Sequence, residues 1–224
     1  MRTGVRQLKH LIINTMKITK HISKSKSLTA LLLFLLMNIK CFSATFTVTE
    51  ASDPIPNTNN LHTLRWAIDQ ASNSSGTDQI KFHITGVAVP VIIQLNDVII
   101  INSSVEIDGS TQPTNGFVTN QPRITVQCNP AITSSEAIRI VANGSNSSLR
   151  ELCFFSLWTP ISYVSSYFDI LRIESSSNNI IRNCVFEGRV NTNFILVNNN
   201  SDRNIIAGNY FGFDRSLVAP PNKV

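Results

Sequence analysis

Ser148-Leu149-Arg150-Glu151-Leu152-Cys153-Phe154-Phe155, Asn179-Ile180-Ile181-Arg182-Asn183-Cys184-Val185-Phe186 and Asn204-Ile205-Ile206-Ala207-Gly208-Asn209-Tyr210-Phe211 lie on one template, with steps of 31 and 25 residues. A second apolar run precedes each: Ala137-Ile138-Arg139-Ile140-Val141, Ile170-Leu171-Arg172-Ile173 and Phe194-Ile195-Leu196-Val197. A short Ser/Asn/Gly turn separates run from segment. Periods of this size mark a supersecondary unit that is stacked on copies of itself. The units are β-branched, aromatic and Asn-rich and lack helical spacing, so they predict coils of short strands, a parallel β-solenoid.

Working outward toward the N-terminus, Thr45-Phe46-Thr47-Val48-Thr49 alternates as a strand does. Leu64, Ala67, Ile68 and Ala71 fall at i, i+3, i+4 and i+7, the pattern of an amphipathic helix. Thr63 or Asn60 can cap its start, and Asn73-Ser74-Ser75-Gly76 ends it. Strand-like runs follow: Gln79–Ile84, Val91–Leu95, Val98–Ile101, Ser104–Gly109 and Pro122–Val126. One helix ahead of a strand stack has a physical task, because an open solenoid end exposes core and unpaired backbone. The expected fold is all-β, a right-handed parallel β-helix of six to eight incomplete coils with an N-terminal capping helix.

Four motifs in order carry a family resemblance. They are Thr63-Leu64-Arg65-Trp66-Ala67-Ile68, Gly76-Thr77-Asp78-Gln79-Ile80-Lys81-Phe82, Val105-Glu106-Ile107-Asp108-Gly109-Ser110-Thr111-Gln112-Pro113 and Asn204-Ile205-Ile206-Ala207-Gly208-Asn209-Tyr210-Phe211-Gly212. Over roughly residues 45–215 the chain resembles secreted bacterial right-handed parallel β-helix proteins of the pectin-lyase-like superfamily, in their N-terminal part. The resemblance implies the fold but no single activity, because lyases, hydrolases, adhesins and passenger domains share it. Two departures stand out. Trp66 replaces the acid that often follows the Arg, which removes a capping-box partner. The chain also stops at Val224, where similar proteins continue for many coils, so a truncated copy is one expectation.

The formal charge of +5 is unevenly distributed. Residues 1–43 hold eight Lys/Arg and no acid, while residues 44–224 hold eleven Lys/Arg against all fourteen acids, a balance of −3. No basic stripe interleaved with aromatics follows residue 44, which argues against nucleic-acid binding. Lys17, Lys20, Lys24 and Lys26 precede an apolar core, Leu28–Met37, and Cys41-Phe42-Ser43 puts small residues at −3 and −1 of a cut before Ala44. Residues 1–43 thus read as a secretory signal peptide. Residues 1–15 are a candidate misassigned start, since Met16 would begin a signal of ordinary length. The domain proper is residues 44–224, secreted or at the cell surface, with no transmembrane anchor after cleavage.

Three cysteines lie beyond the cut, Cys128, Cys153 and Cys184, an odd number that does not form a disulfide framework. Cys153 and Cys184 occupy one column of the template. Adjacent rungs would place their backbones about 4.8 Å apart, within reach of a disulfide, and the alternative is a pair of stacked buried thiols. His62 and His83 have no ligand-like spacing to a Cys, so no metal site is expected.

Chemistry on this fold needs charges gathered on one face. A lyase needs acids to hold Ca²⁺ and a base for the C5 proton, and a glycosidase needs two or three carboxylates about 5–10 Å apart. Candidates are Asp169, Glu174 and Asp202 with Arg172, and beyond them Glu187, Asp214, Arg182 and Arg203. Arg139 and Arg172 recur at one strand position and line one face. The acids do not recur in one column, which weighs against catalysis, and no cofactor is expected except Ca²⁺ in the lyase case. The Asn-rich turns predict amide ladders between rungs first and sugar contacts second. The favoured function is a non-catalytic adhesin-like or carbohydrate-binding module whose partner is a polysaccharide or a host or cell-surface glycan. A carbohydrate-active enzyme is the alternative, and a truncated remnant without independent function is the third reading.

Overall fold

The structure, a computed structural model, describes residues 43–55, 62–114, 121–128, 135–156, 167–188 and 192–212. Residues 1–42, expected to form a signal peptide, and Asn60, Asp214 and the segment 216–224 lie outside the described residues. Chain order is β1 (Thr45–Val48), α1 (Leu64–Ser72), β2 (Asp78–Phe82), β3 (Val91–Leu95), β4 (Ile99–Ile101), β5 (Val105–Asp108), β6 (Ile124–Cys128), β7 (Glu136–Ile140) and β8 (Ser148–Arg150). It continues with β9 (Leu152–Ser156), β10 (Phe168–Glu174), β11 (Ile180–Arg182), β12 (Val185–Glu187), β13 (Thr192–Asn198), β14 (Ile205–Ala207) and β15 (Tyr210–Gly212).

These strands form three parallel sheets: β1-β2-β5-β8-β11-β14, β3-β6-β9-β12-β15 and β4-β7-β10-β13. From β2 onward successive strands visit the three sheets in turn, which is a parallel β-helix. Among the described residues it comprises four complete turns, β2 to β13, flanked by β1 and by β14–β15. Counted with the incomplete coils at either end, the first sheet has six rungs among the described residues, the lower end of the six to eight incomplete coils expected. Ile80 pairs with Ile107, Ile107 with Leu149, Leu149 with Ile181 and Ile181 with Ile206, so one turn consumes up to 42 residues.

The core is a set of apolar columns. Ile80, Ile107, Leu149 and Ile181 stack inside the first sheet, all at most 2% exposed. Ile93, Val126, Phe154 and Phe186 stack inside the second, with Phe154 and Phe186 rings 5.0 Å apart and 22° from parallel. Phe211 continues that stack, 5.3 Å from Phe186. Ile99, Ile138 and Leu171 line the third.

The register corrects the sequence alignment by one residue. Phe154, not Phe155, shares the column of Phe186 and Phe211, and Leu149 pairs with Ile181 rather than Ile180. The true step is therefore 32 residues. Burial decides it, because a slip of one residue would turn Leu149 and Phe154 out of the core. Cys153 accordingly faces Val185 rather than Cys184, and Cys128, Cys153 and Cys184 are buried thiols outside any disulfide.

The helix sits as its periodicity predicts. Leu64, Ala67, Ile68 and Ala71 are its buried residues, and it packs on β1, β2 and β4. Thr63 caps it by accepting from the Trp66 N–H at 3.1 Å. With no acid in the first turn, Trp66 instead packs edge-on to Phe46 of β1, with centroids 6.0 Å apart. Arg65 ties the helix to the first complete turn. It binds both carboxylate oxygens of buried Asp53 at 2.7 and 2.8 Å and donates to the carbonyls of Asp97 and Val98 at 2.8 Å.

The Asp-Gly-Ser-Thr-Gln stretch is a second lock. Buried Gln112 accepts from the Ile84 N–H at 2.9 Å and donates to the Ile84 carbonyl at 2.7 Å, so one amide replaces a missing strand neighbour. Thr111 accepts from the Phe82 N–H at 2.8 Å. Gly109 is required by close approach, since a Cβ there would lie 2.1 Å from the Glu151 carbonyl oxygen of the next turn.

Two predictions follow the register and the lock. Phe154→Ala should destabilise the protein by about 3–5 kcal/mol in urea unfolding, well beyond Phe155→Ala, and the reverse ranking would refute the 32-residue step. Gln112→Leu leaves a buried N–H and C=O unmade and should cost about 2–4 kcal/mol in the same assay.

Candidate functional site

The corners of the coil are built from residues that tolerate left-handed backbone. Glu151, Asn183 and Gly208 have φ of 54°, 53° and 64° and stack where the first sheet turns into the second. Asn146, Asn178 and Arg203, at 66°, 58° and 52°, stack where the third turns into the first. Asn reaches this region at low cost, which explains its abundance in the turns. Beside the second column runs a buried amide ladder. Asn204 Oδ1 accepts from both the backbone N–H and the side chain of Asn179 at 2.9 Å, and Asn179 Oδ1 accepts from the Ser147 N–H at 3.0 Å. Asn179 and Ser147 are fully buried, so this ladder serves the fold and is closed to a ligand.

The charges gather in two places. The first is on the third sheet, where Glu136 pairs with Asp169 and Asp169 with Asn193 along adjacent rungs, and Arg139 pairs with Arg172. Arg139 binds Glu136 and reaches Glu174 at 3.7 Å. Arg172 lies 3.2 Å from Glu174 and 4.0 Å from both Glu136 and Asp169. Asn193 donates to Asp169, and Asn199 to Glu174, each at 2.8 Å. Of the predicted candidates, the structure brings together Asp169, Arg172 and Glu174.

Glu136 and Asp169 are only 2% and 6% exposed. Burial pushes the Asp169 carboxyl above its ordinary range, against the Asn193 hydrogen bond and the Arg172 charge that pull it down, and Glu136 adds to the rise. Arg139 is held more firmly protonated, mainly by its hydrogen bond to Glu136. Three carboxylates and two guanidinium groups thus meet on one face, although Glu136 Oε2 and Arg172 Nε are buried without a hydrogen-bond partner among the described residues. Ca²⁺ does not fit this set, since Arg139 and Arg172 already bridge the carboxylates and would repel the ion. Among the described residues no three His, Cys, Asp or Glu side chains group as metal ligands.

The other candidates stand apart. Asp202 sits on an exposed turn, 3.5 Å from Arg203, and a hydrogen bond with Ser177 leads the influences that lower its pKa. Glu187 lies nearly buried on β12 in the second sheet, and Arg182 is exposed on β11 in the first. Cys184 is an inert core thiol whose pKa burial raises to about 12, as burial does for Cys128.

The second gathering is one that sequence reasoning missed. Lys81, Asp108, Arg150 and Arg182 form a column on the first sheet, next to the column of Gln79 and Glu106. Arg150 bridges Glu106 at 2.7 Å and Asp108 at 2.9 Å. Gln79, Ile80, Lys81, Glu106, Asp108, Thr111 and Arg150 line a cleft of about 240 Å³. Among the described residues Lys81 makes no ion pair. Sequence spacing hides this group because column neighbours on successive rungs are 27 to 42 residues apart. Glu136 was missed too, although a signal exists: Glu136-x-x-Arg139 and Asp169-x-x-Arg172 repeat the same acid-to-Arg spacing one rung apart.

No protein-family model, curated protein or solved structure matches the chain. Among the described residues no helix is long and apolar enough to cross a membrane.

A raised carboxyl is favoured protonated in the folded state, so its support of the fold is complete below the ordinary Asp range and lost as pH rises through the folded value. Asp169→Asn cannot titrate. The stability of the wild type minus that of the variant should therefore fall as pH rises above the ordinary Asp range of about 4 in denaturant titrations, and a flat difference would count against the raised carboxyl.

Proposed function

We propose that this chain is an exported β-helix recognition module of the pectin-lyase-like kind, which binds a polysaccharide or cell-surface glycan without cleaving it. The cleft over β2, β5 and β8 carries this reading. It offers amide, hydroxyl, carboxylate and ammonium groups on rungs about 4.8 Å apart, a regular array suited to an extended polymer of hydroxyls. Lys81 supplies an uncommitted cation for an acidic sugar, while Arg150 is held in position by Glu106 and Asp108. The basic, then apolar, leader before Ala44 supports export. The carboxylates of the third sheet support binding over hydrolysis, since each already faces an arginine.

A carbohydrate-active enzyme is the second reading, favoured by the meeting of Asp169, Arg172 and Glu174 on the third sheet, where burial also raises the Asp169 carboxyl in the direction a general acid requires. In that case Asp169 would donate the proton, with Arg172 and Glu174 positioning it.

The test exposes the exported protein to acidic and neutral polysaccharides with and without Ca²⁺, and reads binding, product absorbance and reducing ends. Binding without products is expected, and Lys81→Ala should weaken it about tenfold, or ~1.4 kcal/mol. Products that disappear in Asp169→Asn would overturn the binding reading in favour of the enzyme. Binding unchanged in Lys81→Ala and Gln79→Ala would remove the cleft from the proposal.

A further inference from the structure

Asp78 opens β2 with its side chain fully buried, and its carboxylate faces neutral donors. The Ala44 backbone N–H donates to Oδ1 at 2.6 Å, and the Ser74 hydroxyl donates to Oδ2. Among the described residues no Lys, Arg or His forms an ion pair with it. Each oxygen accepts a hydrogen bond from a neutral donor, and an ammonium in place of the Ala44 amide would add a counter-charge at the same distance.

The sequence locates the source of that cation at the same atom. Cys41-Phe42-Ser43 before Ala44 is the pattern of a signal-peptide cut. Ser43 is exposed and Ala44 half-buried, so the bond between them lies at the surface. Hydrolysis of the Ser43–Ala44 amide adds water across the C–N bond. Hydroxyl goes to the Ser43 carbonyl carbon, which ionises to a carboxylate, and the Ala44 nitrogen leaves as an amine that takes up a proton. That nitrogen is the one already 2.6 Å from Asp78 Oδ1.

We infer that proteolytic maturation before Ala44 creates an α-ammonium that pairs with the buried Asp78 carboxylate and locks the first strand in place. The inference rests on the export reading of residues 1–43. The geometry requires no rearrangement. The Ala44 carbonyl accepts from the Gln79 N–H at 2.8 Å, so the new terminus stays anchored on the ladder after the cut. The amide offers one N–H, whereas the ammonium offers three and a full charge, and a charge-assisted bond is about twice as strong as a neutral one. Ser74 on the other oxygen follows directly after α1, and Phe46 two residues along β1 carries Trp66. The pair therefore clamps β1, β2 and the capping helix together at the end of the solenoid.

The test expresses the full chain with its own leader in an exporting host and measures the intact mass of the exported protein. An N-terminus at Ala44 is expected. The α-amine is then acylated at neutral pH, and its labelling rate is followed by peptide mapping. It should react about tenfold more slowly in the native protein than in the Asp78→Asn variant or in the wild type unfolded in urea, because a paired ammonium is withheld from the reagent. The urea reference holds even if Asp78→Asn does not fold. Labelling at Ala44 as fast as in both references overturns the ion pair and leaves export intact. A mature terminus at any other residue also overturns it. A chain that is never exported or cut removes the export reading and this one together.

Discussion

The in-register parallel ladder between rungs is the constraint on which the rest of this protein depends. Each strand is three to seven residues long and would not hold alone. Pairing on both sides satisfies its backbone and brings its inward side chain onto the column above and below. Because side chains alternate with period two, the ladder must be correct to the residue. Phe154 on Phe186 and Leu149 on Ile181 show the outcome, and a slip would exchange Phe154 for Phe155. The corners serve the same constraint. Residues at left-handed φ turn the chain at matching points of successive rungs, and buried Asn179 and Ser147 bond the backbone where the strands are interrupted.

The two ends of the described stack meet different conditions. At the N-terminal end, α1 covers the first turn, with Arg65 clamped on Asp53 and Trp66 on Phe46. Burial opposes the Arg65 charge, but the Asp53 hydrogen bond and carboxylate outweigh it and hold the guanidinium more firmly protonated than usual. At the other end Ile205, Ile206 and Phe211 are 53%, 42% and 44% exposed on β14 and β15. Among the described residues β14 and β15 each have one strand neighbour, so the inward columns thin out at this rung.

Charge follows the ladder as well. In a parallel sheet in register, like residues face like, and Glu136 beside Asp169 or Arg139 beside Arg172 would repel if isolated. Acids and arginines three positions apart on the same strand resolve this by crossing between columns. The third sheet therefore carries three carboxylates crossed by two guanidinium groups, while on the first sheet Lys81 makes no ion pair among the described residues and lies beside a cleft.

Much of this was legible in the residues themselves. Apolar spacing located α1 and its four buried residues, the strand-like runs located β1 to β6, and the 25-residue step placed β11 and β12 beneath β14 and β15. Asp169, Arg172 and Glu174 were recognisable as acids and a base near one strand. The 32-residue step was not legible, because Cys153 and Cys184 offer an attractive false match and only burial reveals which neighbour faces inward. Nor was the cleft, since Lys81, Asp108 and Arg150 owe their proximity to two turns of the coil rather than to any spacing along the chain. Short-range order, meaning which segments are strand, helix or turn, was determined by the sequence because side-chain period and backbone preference act over a few residues. Which strand pairs with which, and which charges meet, was decided only by the tertiary structure. Loop lengths set the number of residues in each turn, and the ladder then aligns whatever those loops deliver.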